Sequence, residues 1–366
     1  MYRQSLHTNI LKSIFLIIPT IRQGGGAARV FLHLLTHLNR TKFRITLIVN
    51  RYEDYNMPFI PSDIHVIDLK CIKSRQAIFR IILLCFKYKP DIVLSTMGYM
   101  NLLISLFRPL LPRETKFIAR ETNTVSIKNQ YQKYPNLYNI FYNLFYNNLD
   151  IIVAQSNHMR YDLIDKYCIN PDKIIVINNP VDLKYINLLS HNTKYKSRKN
   201  KHLVAVGRFN YQKGYDLLIE AFSILDSSYY INIIGDGDEK DKISRMITEH
   251  NLTNRVKLLG YVDNPYSYMK KADLFISSSR YEGFPNAVIE ANACGTPVIA
   301  FNCPGGTSEI IVEGINGYLS EPENTVMLAN SIEKGIDTKF NREQIINMTI
   351  DRYNLKSFLH KYEVLF

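Results

Sequence analysis

Three short segments carry residues whose types and spacing suit the chemistry of phosphates and sugars. The first is Gly207-Arg208-Phe209-Asn210-Tyr211-Gln212-Lys213-Gly214, which follows an apolar, β-branched run. Arg208 offers a planar fork of donors and Lys213 a compact charge, and both suit phosphate oxygens. A solvated loop with two surface cations fits the same spacing. The segment is not a Walker loop, because GxxxxGK[ST] is absent.

The second segment is Glu282-Gly283-Phe284-Pro285-Asn286-Ala287-Val288-Ile289-Glu290. Pro285 stands where a helix would begin, and proline favours the first helical turn. Gly283 permits close approach of the backbone, and free N–H groups around Phe284, Asn286 and Ala287 suit phosphate or sugar oxygens. Glu282 falls in the loop. Glu290 falls roughly one and a half turns into the helix, where a carboxylate accepts a vicinal diol. A capping acid plus a solvated glutamate explains one of these carboxylates more easily than both.

The third segment is Gly24-Gly25-Gly26, between a strand and a helix. It fits a ligand loop and a plain tight turn equally well. A dinucleotide fingerprint is excluded: Arg29 occupies its third glycine position, and the second strand ends Val49-Asn50 without a carboxylate.

The first two segments together describe a metal-free site for a nucleoside diphosphate. A departing phosphate develops negative charge, which needs Mg²⁺ or preorganised cations and N–H donors. Arg208, Lys213 and the helix start near Asn286 supply the latter. The string Gly235-Asp236-Gly237-Asp238 contains DxD but reads as a tight turn after an apolar strand. No metal set and no cofactor is expected.

The elements that must position these residues alternate along the chain. Strands are expected at 13–19, 45–49, 65–67, 91–95, 116–119, 150–154 and 173–177, then at 202–206, 230–234, 256–259, 274–277 and 297–300. Helical periodicity fills most gaps, as in 27–38, 74–86, 214–225 and 239–250. The alternation predicts an α/β protein of two doubly wound, Rossmann-like domains with helices on both faces of parallel sheets. It breaks at the polar, basic stretch His191–His202. The expected organisation is a first domain over 1–180, a linker over 181–200, a second domain over 201–345, and a helical tail over 346–366 that returns to the first domain.

The chain has 366 residues, 46% of them apolar and 21% charged, which excludes a mainly disordered or disulfide-scaffold protein. Its formal charge of +12 is one-sided. Residues 1–180 hold 23 Lys and Arg against 11 Asp and Glu, whereas the rest balances. Such a half points to nucleic acid or an anionic membrane. No nucleic-acid signature appears. Five cysteines without a CxxC pair fit a reducing compartment. The N-terminus lacks a signal-peptide pattern, and the uncharged run 92–107 falls short of the roughly 20 apolar residues of a spanning helix.

The segments GRFNYQKG, IIGDGDEKDKI, EGFPNAVIEANACGTPVIA and CPGGTSEI, in this order, resemble the retaining glycosyltransferase family 4 of the GT-B fold. The nearest subgroup builds bacterial surface polysaccharides, and GGGAARV and NNPVD extend the resemblance over most of the chain. The resemblance implies that Gly207, Arg208 and Lys213 contact the donor diphosphate and Glu290 the ribose hydroxyls. Glu282 would hold the transferred sugar, helped by the Gly283-Phe284-Pro285-Asn286 backbone. Glu282, Arg208 and Lys213 would be the catalytic set. Gly25, Gly26, Arg120 and Glu121 would lie near phosphate and acceptor across a cleft. Many relatives carry R-E-H-N after the fifth strand, where this chain has Arg120-Glu121-Thr122-Asn123. A side-chain base is unnecessary if the donor phosphate removes the acceptor proton. His158 reads as a lone surface histidine rather than a substitute.

Lys70–Lys89 carries apolar residues at helical spacing beside cations, and fits a membrane-surface helix as well as an ordinary sheet-covering one. Residues 131–148, dense in Tyr, Phe, Leu and Asn, fit core packing or a lipid-proximal groove. The expected protein is a cytoplasmic enzyme, peripheral on the inner face of the plasma membrane. It would move a hexose or N-acetylhexosamine from a UDP-sugar to a lipid-linked saccharide in O-antigen, capsule or lipopolysaccharide synthesis. A nucleotide-sugar epimerase or hydrolase, and a catalytically silent nucleotide-sugar-binding partner, are the alternatives.

Overall fold

A computed structural model of the protein describes residues 11–21, 25–51, 60–190 and 201–366. The chain forms two compact units: Met1–Gln155 with Arg160–Ile177 and Leu359–Phe366, and Ser156–Met159 with Asn178–Phe358.

The first unit holds strands β1 (Lys12–Ile18), β2 (Phe43–Val49), β3 (His65–Asp68), β4 (Ile92–Thr96), β5 (Lys116–Arg120), β6 (Ile151–Ala154) and β7 (Ile174–Val176). Its helices are α1 (Gly26–His37), α2 (Ser74–Tyr88), α3 (Gly98–Phe107), α4 (Val125–Gln130) and α5 (Pro135–Phe145), followed by α6 (Asn157–Tyr167). The sheet order is β3-β2-β1-β4-β5-β6-β7. Every pairing is parallel. The near-continuous apolar runs of β1 and β4 are buried, as a parallel sheet covered on both faces requires.

The second unit carries α7 (Leu183–Leu189), β8 (Lys201–Val206), α8 (Tyr215–Ile224), β9 (Tyr229–Ile234), α9 (Lys240–Glu249), β10 (Val256–Gly260), α10 (Tyr266–Lys271) and β11 (Leu274–Ser277). After these come α11 (Asn286–Ala293), β12 (Val298–Phe301), α12 (Thr307–Ile310), β13 (Gly317–Ser320), α13 (Thr325–Asp337) and α14 (Arg342–Tyr353), and then α15 (Leu355–Leu365), which from Leu359 onward groups with the first unit. Its parallel sheet runs β10-β9-β8-β11-β12-β13. Strand order reverses between β1 and β4 and again between β8 and β11. Ligands of such sheets bind beyond the carboxyl ends of the strands at that switch point.

Three features differ from the sequence expectation. Strand β13 was not anticipated, because Gly-Tyr-Leu-Ser has little strand propensity; its pairing with β12 holds it at the sheet edge. Residues 181–190 are not an extended linker. Asp182 caps α7 by accepting the Tyr185 N–H at 3.1 Å, Val181 bridges to Asn354, and all lie in the second unit. Residues 191–200 lie outside the described residues. Finally, 346–366 is not one tail: α14 packs on α11, and only Leu359–Phe366 group with the first unit. There Lys12 and Lys116 donate to the carbonyls of Phe366 and Leu365, placing cations where a helix ends in free carbonyls.

Candidate active site

Beyond β8 the chain passes Gly207 and Arg208 and enters a single tight turn, Tyr211–Lys213. The Asn210 carboxamide accepts the Lys213 N–H at 3.2 Å and starts the turn. Gly214 ends it at φ +59°, where a Cβ would stand 2.2 Å from the Ser278 carbonyl oxygen. Only glycine fits that close approach. A Cβ on Gly207 would stand 3.3 Å from Lys213 Cε, so its bare backbone leaves room for the lysine. Both requirements press the Lys213 turn against the loop after β11.

That loop carries the buried Glu282, 5% exposed. Lys213 Nζ lies 2.6 Å from Glu282 Oε1, which also accepts the Ser279 hydroxyl at 2.7 Å. Gln212 Nε2 reaches Glu282 Oε2 at 3.3 Å and the Tyr281 carbonyl at 3.0 Å. A carboxylate removed from water needs such donors and a cation to remain there.

The backbone around Glu282 is pinned through one side of each peptide. The Glu282 N–H donates to the Pro304 carbonyl, the Gly283 carbonyl accepts from Gly306, and the Phe284 carbonyl accepts from Asn179 at 2.9 Å. Gly305 comes so close that a Cβ would stand 2.1 Å from the Glu282 carbonyl oxygen. The N–H groups of Gly283 and Phe284 donate to nothing among the described residues, although both residues are buried. Buried backbone N–H groups are rarely unpaired, so these two are candidate donors to a ligand's oxygens.

Helix α11 opens behind Pro285 with no side-chain cap. The Val288 N–H donates to the Pro285 carbonyl at 3.2 Å, and the positive end of a helix favours an anion. Lys213, Ser277, Ser279, Pro285 and Ala287 line one small cleft, beyond the carboxyl ends of β8 and β11. This is the switch point of the second sheet.

Arg280 braces the arrangement. Its guanidinium makes two bonds to Asp216, at 3.0 and 3.1 Å, and reaches the Tyr211 carbonyl while lying 4.1 Å over the Tyr211 ring. It thereby ties the loop after β11 to the turn bearing Lys213. Burial alone would raise the Asp216 pKa, but hydrogen bonds from Arg280 and Lys242 hold it down at about 2. For Arg280 burial works downward and the Asp216 pairing outweighs it, raising the pKa.

The structure brings together Lys213, Glu282, Gly283, Phe284 and Pro285. Arg208 follows β8 but is exposed, its guanidinium bonded to no described residue. Glu290 is buried on α11, 6% exposed. Asn286 accepts from the Asn179 carboxamide at 2.7 Å, and Phe284 packs edge-on against Tyr353. The sequence reading missed Gln212, Ser279, Arg280 and Asn179 as supports. Gln212 stands beside Lys213 and Ser279 closes a serine run before Glu282, but only the fold shows whom they meet.

The Gly235–Asp238 string leaves β9 as open loop, and the turn after it spans Gly237–Lys240, closed by the Lys240 N–H on the Gly237 carbonyl at 3.1 Å. A Cβ at Gly235 or Gly237 would stand 1.9 Å from the Gly207 carbonyl oxygen or 2.3 Å from that of Phe209. Asp236 accepts the Gly237 N–H and faces Lys240.

In the first unit Gly25 and Gly26 start α1 without a side-chain cap, and Gly24 lies outside the described residues. Arg120 and Glu121 do not line an open loop: each is 1% exposed. Glu121 Oε1 accepts from Asn101 at 2.9 Å and from the Tyr146 hydroxyl, while the Glu121 carbonyl accepts from Gln155. Burial, reinforced by the Glu121 charge, pushes the Tyr142 and Tyr146 hydroxyls well above their ordinary range. Burial lowers the Arg120 pKa, opposed by Tyr362 and Glu121. Both side chains are thus enclosed within the first unit, with Glu121 held by Asn101 and Tyr146. Thr122 is half-buried; His158 is exposed, its backbone N–H held by Glu309.

Sequence profiles of known families cover both units. The profile described as Glycosyltransferase Family 4 matches residues 24–185, and that described as Glycosyl transferases group 1 matches residues 190–352. A Campylobacter jejuni relative, N-acetylgalactosamine-N,N'-diacetylbacillosaminyl-diphospho-undecaprenol 4-alpha-N-acetylgalactosaminyltransferase, is 31% identical over 335 residues, 88% of each chain. The chain belongs to glycosyltransferase family 4. The Erwinia amylovora glycosyltransferase AmsD of amylovoran biosynthesis is 24% identical to this glycosyltransferase, over 88% of this chain and 89% of its own. Among solved structures, Anabaena Alr3699/HepE in complex with UDP-glucose superposes with a TM-score of 0.77 at 18% identity, covering 96% of this chain and 99% of its own. The two Rossmann-like units are those of the GT-B fold, and the protein is an enzyme that transfers glycosyl groups.

Proposed function

We propose that this glycosyltransferase moves a hexose or N-acetylhexosamine from a UDP-sugar to a lipid-linked oligosaccharide, with retention of configuration and without a metal. The product would belong to a bacterial surface polysaccharide: O-antigen, capsule or lipopolysaccharide. The observation that carries the reading is the Lys213–Glu282 pair beside the unengaged N–H groups of Gly283 and Phe284, at the switch point of the second sheet. The UDP-glucose in the Anabaena structure and the diphospho-undecaprenol in the Campylobacter relative's name support donor and acceptor.

In this mechanism Arg208 and Lys213 meet the diphosphate, and Glu290 accepts the ribose hydroxyls. Glu282 accepts hydroxyls of the sugar, while Gly283 and Phe284 donate to its oxygens. The bond from C1 to the β-phosphate oxygen breaks, and its electron pair leaves with UDP. The acceptor oxygen bonds to C1 on the face being vacated, and its proton passes to the leaving phosphate. A preorganised lysine and helix terminus stabilise that charge without reorganisation, the effect such sites exploit most. No side-chain base at Thr122 is then needed. The enzyme would work peripherally on the cytosolic face of the membrane that holds its acceptor.

The test is UDP release from a panel of UDP-sugars, with and without lipid-linked acceptor extracted from bacterial membranes. Release requiring one sugar and the lipid is the expected result. Release without acceptor would replace the transferase by a hydrolase, and sugar interconversion without release by an epimerase. UDP binding with no turnover over a broad acceptor panel would favour a silent partner. Arg208→Ala should abolish turnover in a folded protein, and near-normal activity there would overturn its assignment.

A further inference from the structure

We infer that helices α2 and α5 of the first unit form a docking face for a bilayer containing anionic phospholipid. Helix α2 is apolar on two opposite sides. Ala77, Ile78, Ile81 and Cys85 are buried against the unit. At 3.6 residues per turn, Phe79, Leu83 and Phe86 fall on the opposite side, and they are 61%, 69% and 53% exposed. An ordinary sheet-covering helix carries polar residues there.

The cations sit where an interfacial helix needs them. On the helical wheel Arg75 falls on one flank of the outer apolar stripe, and Lys73 and Lys87 fall on the other; all three are exposed. Helix α5, joined to α2 through α3, which packs against both, repeats the inversion. Leu137, Ile140 and Leu144 follow one another at helical spacing and are 47%, 51% and 63% exposed.

Charge selects the occupant. No Asp or Glu occurs from Leu69 to Pro90 or from Thr122 to Leu149. A second copy would set one basic face against another, whereas an anionic headgroup layer complements the cations and the acyl boundary takes the apolar side chains. The inference extends the lipid-linked reading proposed above, but its residues lie outside the donor site and its test does not require turnover.

The test is co-sedimentation of the full chain with vesicles of phosphatidylcholine alone or mixed with phosphatidylglycerol. Binding is expected to the mixed vesicles, weakening as salt rises. Combined Leu83→Ser and Phe86→Ser should lower partitioning at least about tenfold with an unchanged melting temperature, since both side chains are exposed. Combined Lys73→Gln, Arg75→Gln and Lys87→Gln should remove the preference for phosphatidylglycerol. Leu188→Ser, on the second unit at a residue 74% exposed, should change nothing. The inference is overturned if mixed vesicles do not bind the protein or the serine variant binds as well as wild type. It is equally overturned if light scattering shows a dimer that the serine changes dissolve while vesicle binding persists. Loss of the docking face with acceptor-dependent UDP release intact would leave the transferase reading standing.

Discussion

Two carboxylates in this molecule, Glu121 and Glu282, follow strands of parallel sheets and are shielded from water, yet their surroundings differ. Glu121 directly follows β5 and takes its donors from the neutral groups of Asn101 and Tyr146. Glu282 follows β11 and takes its donors from Lys213, Ser279 and Gln212. The backbone separates them further. At Glu121 the N–H donates to Val153 and the carbonyl accepts from Gln155, so its peptide groups are engaged. At Glu282 the two following N–H groups are not. Position in the sheet agrees: β11 borders the switch point of its sheet, and β5 lies one strand beyond it. What differs is the set of donors: neutral side chains at Glu121, and at Glu282 a lysine beside two N–H groups that no described residue accepts.

The strongest way to break this contrast is at Glu282. Glu282→Gln should lower turnover by about a thousandfold, roughly 4 kcal/mol of transition-state stabilisation, with a modest change in melting. Steady-state UDP release measures it, and a variant within tenfold of wild type would dissolve the contrast. Glu121→Ala should do the reverse. It strands the Asn101 and Tyr146 donors and costs about 3 kcal/mol in urea unfolding, while activity per folded molecule stays within about tenfold. Gly305→Ala tests the backbone: the added carbon collides with the Glu282 carbonyl, so UDP affinity measured by calorimetry should fall, with a stability loss of about 2 kcal/mol.

Arg280→Ala sharpens the picture by loosening the turn without touching the cleft. A fall of about tenfold in kcat/KM is expected, restored in part by Arg280→Lys. The same bridge has a pH signature. Because the folded Asp216 pKa is depressed to about 2, its contribution to stability is full above the ordinary carboxylate range and disappears as pH falls towards 2. Asp216→Asn should therefore flatten the acid limb of the melting curve, and an unchanged limb would remove the bridge as its source. The smallest effect belongs to His158: His158→Ala should alter stability by no more than about 0.5 kcal/mol and leave turnover unchanged.

Much of the molecule was legible in the residues. The apolar β-branched runs announced twelve strands, and the alternation with helices announced two parallel sheets. The exception, β13, exists because β12 lies beside it, which local propensity does not encode. Gly207, Gly214, Lys213 and the Glu282–Pro285 string, read as one candidate site, do meet in the fold, because close approach needs glycine and a helix can start behind proline. The burial of Arg120 and Glu121 was not legible in the same way. A charged pair after a strand looks alike in sequence whether it faces a ligand or the interior.

The sequence by itself determined the local chemistry: which turns need glycine, where helices begin, which half is basic, and which family's motifs stand in order. Tertiary structure alone decided the pairings. Lys213 and Glu282 are 69 residues apart, and they meet because strand order places β8 beside β11 and folds the following loops together; Asn179, ahead of α7, reaches Phe284 across 105 residues. It also decided which apolar stripe of α2 faces the core. Both stripes satisfy the helical period, and only packing within the first unit distinguishes the side that is filled from the side left exposed.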